Sequence, residues 1–242
     1  MKQTIALSDK GGVCMIAHRG LSGLETENTC AAFVAAGNRS YFGIETDVHV
    51  TRDGRYILIH DDRTGRVAPG TDYAVEETDY ALLRSVRLAD GDSGRTRGDL
   101  CLPSLSEYIR ICRRYGKMAV LELKNAMRKE DIRGICEEIC TEGALSDVIF
   151  ISFSMENLVF LRELYPKQAA QYLCERAEDA LLDTLAARKL DIDIYYEALT
   201  AERVRACHDR GIRVNCWTVD RAEAATALVG MGVDYITTNI LE

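Results

Sequence analysis

The chain predicts an α/β fold of the (β/α)8 type, a TIM barrel, on three observations. Short β-rich runs alternate eight times with amphipathic helical stretches. The length, 242 residues, matches the roughly 250 residues of such a barrel. No Gly-, Ser- or Pro-rich linker divides the chain, so residues 1–242 are expected as one barrel domain rather than two units or an open sheet.

The strands are expected at 13–18, 43–50, 118–123, 148–152, 168–173, 191–196, 212–217 and 234–237, with helices between them. Several helix ends carry their own signals. Ser104 with Glu107, and Asp220 with Glu223, have capping-box spacing. Gly116, Gly143, Gly211 and Gly230 stand where helices should stop. The long interruption at about 61–103, rich in Asp, Arg and Gly and holding one expected helix at 76–86, reads as an insertion on one face of the barrel.

The run "YILIH" (56–60) does not fit the count of eight. Only Thr51-Arg52-Asp53-Gly54 separates it from "GIETDVHV", whereas a parallel crossover needs a dozen or more residues. The two runs should therefore form an antiparallel hairpin. A two-residue turn at Asp53-Gly54 pairs Arg52 with Arg55 and brings His60 opposite Asp47; a longer loop shifts this by about a residue.

Composition narrows the partners. A hydrophobic share of 47% supports a sizeable core. No apolar run approaches the ~20 residues of a membrane span, so no integral membrane segment is expected. The first dozen residues hold no long apolar stretch of a secretory signal. Nine cysteines without a CxxC pair suggest reduced thiols and a cytoplasmic protein; Cys112, Cys136 and Cys140 are expected in the core. A net charge of −8 without a basic stripe speaks against nucleic acid. An anionic small molecule stays open, given a local positive site. Nothing fixes the oligomeric state.

In such a barrel the chemistry sits at the C-terminal ends of the strands. His18 and Arg19 end the first strand in "AHRG". Glu45 and Asp47, two apart, point to one side of the second, and Glu122 and Lys124 repeat that spacing in "LELK". Trp217 ends the seventh strand. Three inward carboxylates repel one another unless a cation lies among them, and an all-oxygen donor set suits Mg²⁺ or Ca²⁺. Arg19 and Lys124 suit phosphate oxygens. His18 and His60 suit a general base and a general acid, because imidazole titrates near pH 6.5. Together these are parts for cleaving a phosphodiester. Taken singly, each has a plainer explanation: a solvated strand face for Glu45 and Asp47, a surface ion pair for Glu122 and Lys124, core packing for Trp217. His49 shares the parity of Asp47 without an evident job, and His208, near Arg205 and Asp209, reads as surface.

The ordered set "AHRG", "ENT" (27–29), "IETDVHVTRDG", "HDD" (60–62), "LELK" and "CWTVD" resembles the glycerophosphodiester phosphodiesterase family over residues 16 to about 238. That resemblance implies a (β/α)8 barrel with a small insertion after the second His. It implies His18 and His60 as the catalytic pair and one divalent ion on Glu45, Asp47 and Glu122. Arg19 and Lys124 would contact phosphate, and Trp217 would pack beside the substrate. The implied reaction releases sn-glycerol 3-phosphate and an alcohol from a small glycerophosphodiester. Two departures stand out. The family reads Pro-Glu-Asn-Thr where this chain has Thr26, and it ends the eighth strand with Thr-Asp-x-Pro where this chain has "TTNILE". Asn239 thus stands in for Asp, and the last turn of the barrel is expected to close differently.

Two rival readings remain at this point. One is a lysophospholipase D or phosphatidylinositol-type phospholipase C-like lipid phosphodiesterase, disfavoured by the polar insertion. The other is a non-catalytic phosphate-ligand-binding barrel, disfavoured because no His or carboxylate of the set is missing.

Overall fold

A computed structural model describes residues 3–91, 94–143 and 145–242. Its strands are β1 (Cys14–Ala17), β2 (Gly43–Val50), β3 (Tyr56–Leu58), β4 (Met118–Leu123), β5 (Val148–Ser152), β6 (Ala169–Cys174), β7 (Asp191–Tyr195), β8 (Val214–Trp217) and β9 (Tyr235–Thr238). All but β3 pair in parallel, in the order β1-β2-β4-β5-β6-β7-β8-β9, and β9 returns to β1, closing an eight-stranded barrel. The strand β3 lies outside the ring, antiparallel on β2. Each expected barrel strand is present within two residues of its expected ends.

The helices are α1 (Cys30–Gly37), α2 (Tyr80–Ser85), α3 (Leu105–Tyr115), α4 (Lys129–Thr141), α5 (Met155–Leu164), α6 (Asp179–Arg188), α7 (Ala201–His208) and α8 (Ala222–Met231). Helix α3 shows how the sequence sets them. Ser104 accepts from the Glu107 N–H, and the Glu107 carboxylate accepts from the Ser104 N–H, so two orphan donors are satisfied together. Leu105, Tyr108, Ile109 and Cys112 bury one stripe, and Gly116 at φ 61° ends the helix.

Side-chain alternation divides the strands. Outward residues such as Ile44, Val48, Leu121 and Phe150 pack under the helices. Inward ones, Ile16, Val120, Ile149, Ile151, Leu173 and Tyr235, fill the lower barrel. Polar side chains, Glu45, Asp47, Glu122, Gln171, Asp193 and Asn215, are also buried on the inward parity. The interior therefore turns from apolar to charged toward the C-terminal rim.

The insertion carries a core of its own, built from Ile57, Ile59, Val67, Val75, Leu83, Leu88, Leu100 and Leu102. The single helix expected at 76–86 is instead a 3₁₀ turn, Val75–Glu77, followed by α2. Thr26 ties the first β–α loop to this insertion: it donates to the Ala89 carbonyl at 3.0 Å and accepts from the Gly91 N–H at 3.0 Å.

Four further expectations need correction. The hairpin register is shifted by one: Val50 pairs with Tyr56 and Val48 with Leu58, so Asp47 meets Ile59, whose N–H donates to the Asp47 carbonyl. The cause is a five-residue loop, 51–55, closed by a Thr51 N–H···Arg55 carbonyl bond of 2.8 Å. Asp220 does not cap α8, whose N-cap is Arg221; its carboxylate is occupied elsewhere. Gly230 lies inside α8, and Gly232, at φ 86°, performs the stop. Cys140 is exposed on α4 while Cys112 and Cys136 are buried.

Gly20, at φ 75°, follows β1, and a Cβ there would lie 2.7 Å from the Ala32 backbone. Gly20→Ala is expected to cost more than about 1 kcal/mol, because a left-handed position and a backbone clash coincide. Urea unfolding of the variant against the parent checks this; an unchanged midpoint contradicts it.

Candidate active site

The sharp turn after β1 builds one wall of the site. Arg19, at φ 53°, and Gly20 are both left-handed, an uncommon state for a non-glycine residue. The turn aims the Arg19 N–H at Glu45 Oε2, 2.8 Å away. The Arg19 side chain donates from Nη1 to Glu27 at 2.9 Å. Its Nε lies buried without a hydrogen bond, 3.8 Å from Asp47 Oδ2.

Strand register assembles the three carboxylates. With β3 outside the ring, β4 pairs directly with β2, and Asp47 lies beside Glu122. Glu45 is two residues earlier on the same face of β2. Oxygens of Glu45, Asp47 and Glu122 lie within 4.8 Å of one another, and all three residues are buried. Lys124 Nζ approaches Glu122 Oε1 at 3.0 Å and Asp47 Oδ1 at 3.7 Å. Asn28 donates to Asp47 Oδ2 at 2.8 Å while accepting from the Thr46 hydroxyl at 2.6 Å, which fixes its amide.

These contacts split the carboxyl groups. Burial and the charges of Asp47 and Glu122 push Glu45 well up. Burial and Asp47 push Glu122 up, to about 8, against the pull of Lys124. Burial also pushes Asp47 upward, but Arg19 and Lys124 outweigh it and hold that group below its ordinary value. Asp47 is therefore the carboxyl most readily ionised, while its two neighbours are held up. Three buried oxygen donors of this kind fit a hard divalent cation.

The two histidines line the same pocket, of ≈ 450 Å³, with Arg19, Glu45 and Glu122. His18 Nε2 is 4.0 Å from Glu45 Oε2, and its Nδ1 is 2.7 Å from Asn239 Oδ1. Burial, with Arg19 alongside, lowers the His18 pKa to about 4. His60 Nδ1 is 2.7 Å from Asp61 Oδ1. Asp61 is gripped in turn by Arg66, whose Nε donates at 2.6 Å, and Arg66 also forks onto Glu27 at 2.8 Å. Trp217 lines the pocket with Phe153, the rings meeting edge-on at 5.8 Å. Of the residues picked out from sequence, Asp47 and Lys124 do not line this pocket; Asp47 is buried behind Glu45 and Glu122, and Lys124 lines an adjoining groove with Glu122, Asn125 and Ser154.

Several participants were not evident in the sequence. Glu27, Asp61 and Arg66 form a chain from Arg19 to His60 that joins the first loop to the insertion. His49 is wholly buried, with Nδ1 3.0 Å from Glu76 Oε1 and Nε2 3.4 Å from the His60 carbonyl, so it supports the loop that presents His60. Asp193 lines the pocket, and its Oδ1 has no hydrogen-bond partner among the described residues. Burial, then Glu122, pushes its carboxyl well up. The alternation "DIDIY" is a signal that could have found it, since Ile192 and Ile194 pack outward. His208 is half-exposed as expected, but its partner is Asp234 at 2.9 Å.

The sequence profile of the glycerophosphoryl diester phosphodiesterase family matches residues 18–242. The chain belongs to this family. Its phosphoric diester hydrolase activity agrees with the pocket just described. A glycerophosphodiester phosphodiesterase of Caldanaerobacter subterraneus subsp. tengcongensis is 28% identical over 237 residues, 93% of each chain. That of Bacillus subtilis is 26% identical over 251 residues, 94% of this chain and 83% of its own. An Oleispira antarctica phosphodiesterase, solved with the product sn-glycerol-3-phosphate, superposes with a TM-score of 0.81 at 27% identity, covering 93% of this chain and 92% of that one. In this family member no helix among the described residues is long and apolar enough to cross a membrane.

Because burial and their neighbours hold the Glu45 and Glu122 carboxyls up, and a cation takes them in the ionised form, metal binding should release protons and strengthen as pH rises. The sign for stability follows. Carboxyls raised above their unfolded value, ordinarily 4.5, favour the folded metal-free protein at low pH, and that contribution is lost as pH climbs toward about 8. A cation that binds the ionised form restores it. The rise in melting temperature on adding Mg²⁺ or Ca²⁺ should therefore be larger at pH 8 than at pH 6. An equal or smaller shift at pH 8 contradicts the assigned carboxyl states.

Proposed function

We propose that this phosphodiesterase hydrolyses soluble glycerophosphodiesters to sn-glycerol 3-phosphate and an alcohol, with one divalent cation, Mg²⁺ or Ca²⁺, held by Glu45, Asp47 and Glu122. The observation carrying the reading is that two carboxylates of this triad, Glu45 and Glu122, line one pocket with both histidines, and Asp47 lies within 4.8 Å of them. A cation bound there would polarise a phosphoryl oxygen and offset the charge that develops on it.

The protein's own groups supply the rest. His18 and His60 move the protons: one takes a proton from the attacking oxygen, the other gives one to the departing alcohol oxygen. His60 Nδ1 faces the Asp61 carboxylate and His18 Nδ1 faces the Asn239 amide, so each ring is oriented by a partner of its own. The free Nε of Arg19 is a donor for a phosphate oxygen. Lys124 is a second phosphate contact, available when Glu122 is engaged elsewhere. Trp217 and Phe153 form an apolar wall for the substrate.

A soluble substrate is favoured over a lipid by the rim. Of the exposed large hydrophobic side chains among the described residues, Ile5, Val34, Leu82 and Phe153, only Phe153 lines the pocket. The side chains from the insertion beside it, Asp61 and Arg66, are charged. One apolar residue is a poor foothold on a bilayer.

Glycerol 3-phosphate release from glycerophosphocholine, glycerophosphoethanolamine and glycerophosphoglycerol tests this, run without metal, with Mg²⁺ and with Ca²⁺. Release should require a cation, and His18→Ala and His60→Ala should each lower it about 10²–10⁴-fold. Turnover of lysophosphatidylcholine with none of the three soluble diesters would point to a lipid substrate instead.

A further inference from the structure

The structure assigns Asp220 a part in the reaction although it touches no reacting atom: we propose that Asp220 is a positioning residue that, through Asn239, holds His18 in the tautomer with its proton on Nδ1. The inference rests on His18 acting in proton transfer as argued above.

Asp220 precedes α8, and its two oxygens are taken up by the turn after β9. Oδ1 accepts from the Asn239 N–H at 2.8 Å and from the Thr238 hydroxyl at 3.1 Å. Oδ2 accepts from Asn239 Nδ2 at 2.6 Å. A carboxylate can only accept, so the Asn239 amide has one allowed orientation, with Nδ2 toward Asp220 and Oδ1 toward His18. Oδ1 can only accept in its turn, and it lies 2.7 Å from His18 Nδ1. Nδ1 must therefore carry the hydrogen. In the neutral ring Nε2 is then the bare nitrogen, and Nε2 is the atom on the Glu45 side, where a proton can be taken. The Ser22 hydroxyl, 2.7 Å from Asn239 Oδ1 and 2.7 Å from the His18 carbonyl, has one hydrogen to share between them and so accommodates this orientation without fixing it; Asp220 does the fixing.

The Asp220→Asn substitution makes the case sharp because the Asn239 backbone N–H cannot turn over. The oxygen of the new amide must stay on that N–H, so its NH₂ faces the Asn239 side chain. Asn239 then flips, presents Nδ2 to His18, and forces the imidazole proton to Nε2. Pairing Asp220→Asn with Asn239→Asp reverses the polarity of the link. The new amide donates to one oxygen of the new carboxylate, and the other oxygen again accepts from His18 Nδ1–H. Asp220 is exposed, so neither change disturbs the core.

Long-range proton–nitrogen NMR of histidine-labelled, metal-loaded protein reads the tautomer directly, independently of any activity. Expected are Nδ1–H for His18 in the parent, Nε2–H in Asp220→Asn, and Nδ1–H again in the double variant. With glycerophosphocholine as substrate, kcat should fall at least about tenfold in Asp220→Asn with KM little changed, and recover in the double variant; a wrong tautomer can cost far more. An unchanged His18 tautomer in Asp220→Asn overturns the proposal, as does a double variant whose tautomer is not restored. A tautomer that switches as expected in a protein that turns over none of the diesters tried upholds the positioning link and sinks the proposed reaction instead.

Discussion

Three carboxylates forced together inside a barrel dominate this structure. Strand alternation and the β2–β4 register leave Glu45, Asp47 and Glu122 no alternative neighbours, and burial denies them water. Their mutual repulsion is eased by Arg19 and Lys124, which hold the Asp47 carboxyl down, one near each of its oxygens, while burial and neighbouring charge hold Glu45 and Glu122 up. Such an arrangement is poorly rewarded as a stability device, since apolar residues would fill the space at lower cost. It is well suited to a cation.

The rest of the rim serves to present two imidazoles to that cluster. His18 leaves β1 on a left-handed turn whose Arg19 N–H is tied to Glu45, so one histidine and one carboxylate are positioned by a single residue. His60 arrives by a different route, carried back by the hairpin and held by the insertion. The Arg19–Glu27–Arg66–Asp61 chain then locks the two approaches together. The insertion is thus a structural partner of His60 with a core of its own.

Much of this is written locally in the chain. The barrel strands follow from hydrophobic runs and turn residues, and Glu45, Asp47 and Glu122 follow from spacing two apart on otherwise apolar strands. The hairpin follows from a connection too short for a crossover. Its register does not, because a five-residue loop and a two-residue turn look alike in "TRDG" until Thr51 closes on Arg55. The Glu27–Arg66 and Asp220–Asn239 links escape for a common reason: the partners lie 39 and 19 residues apart, and no period relates them. Asp61 has near partners, His60 and Arg66, but lies in an irregular loop where spacing does not tell which side chains meet. Asp220 is the instructive failure. Its spacing to Glu223 reads as a helix cap, yet three donors from the β9 turn compete for the same oxygens and win. The substitution of Asn for Asp at 239 was visible; that its amide would face His18 was not.

The central claim, that the triad is a single cation site on which turnover depends, is tested most directly by titrating Mg²⁺ and Ca²⁺ into the parent and into Glu122→Gln by calorimetry, with activity measured across the same metal concentrations. One site per chain is expected in the parent. In the variant, affinity and turnover should fall together, by more than the about 10–100-fold typical when only an outer partner of a ligand is removed. A variant that keeps its activity at low metal would contradict the assignment of the catalytic cation to this triad.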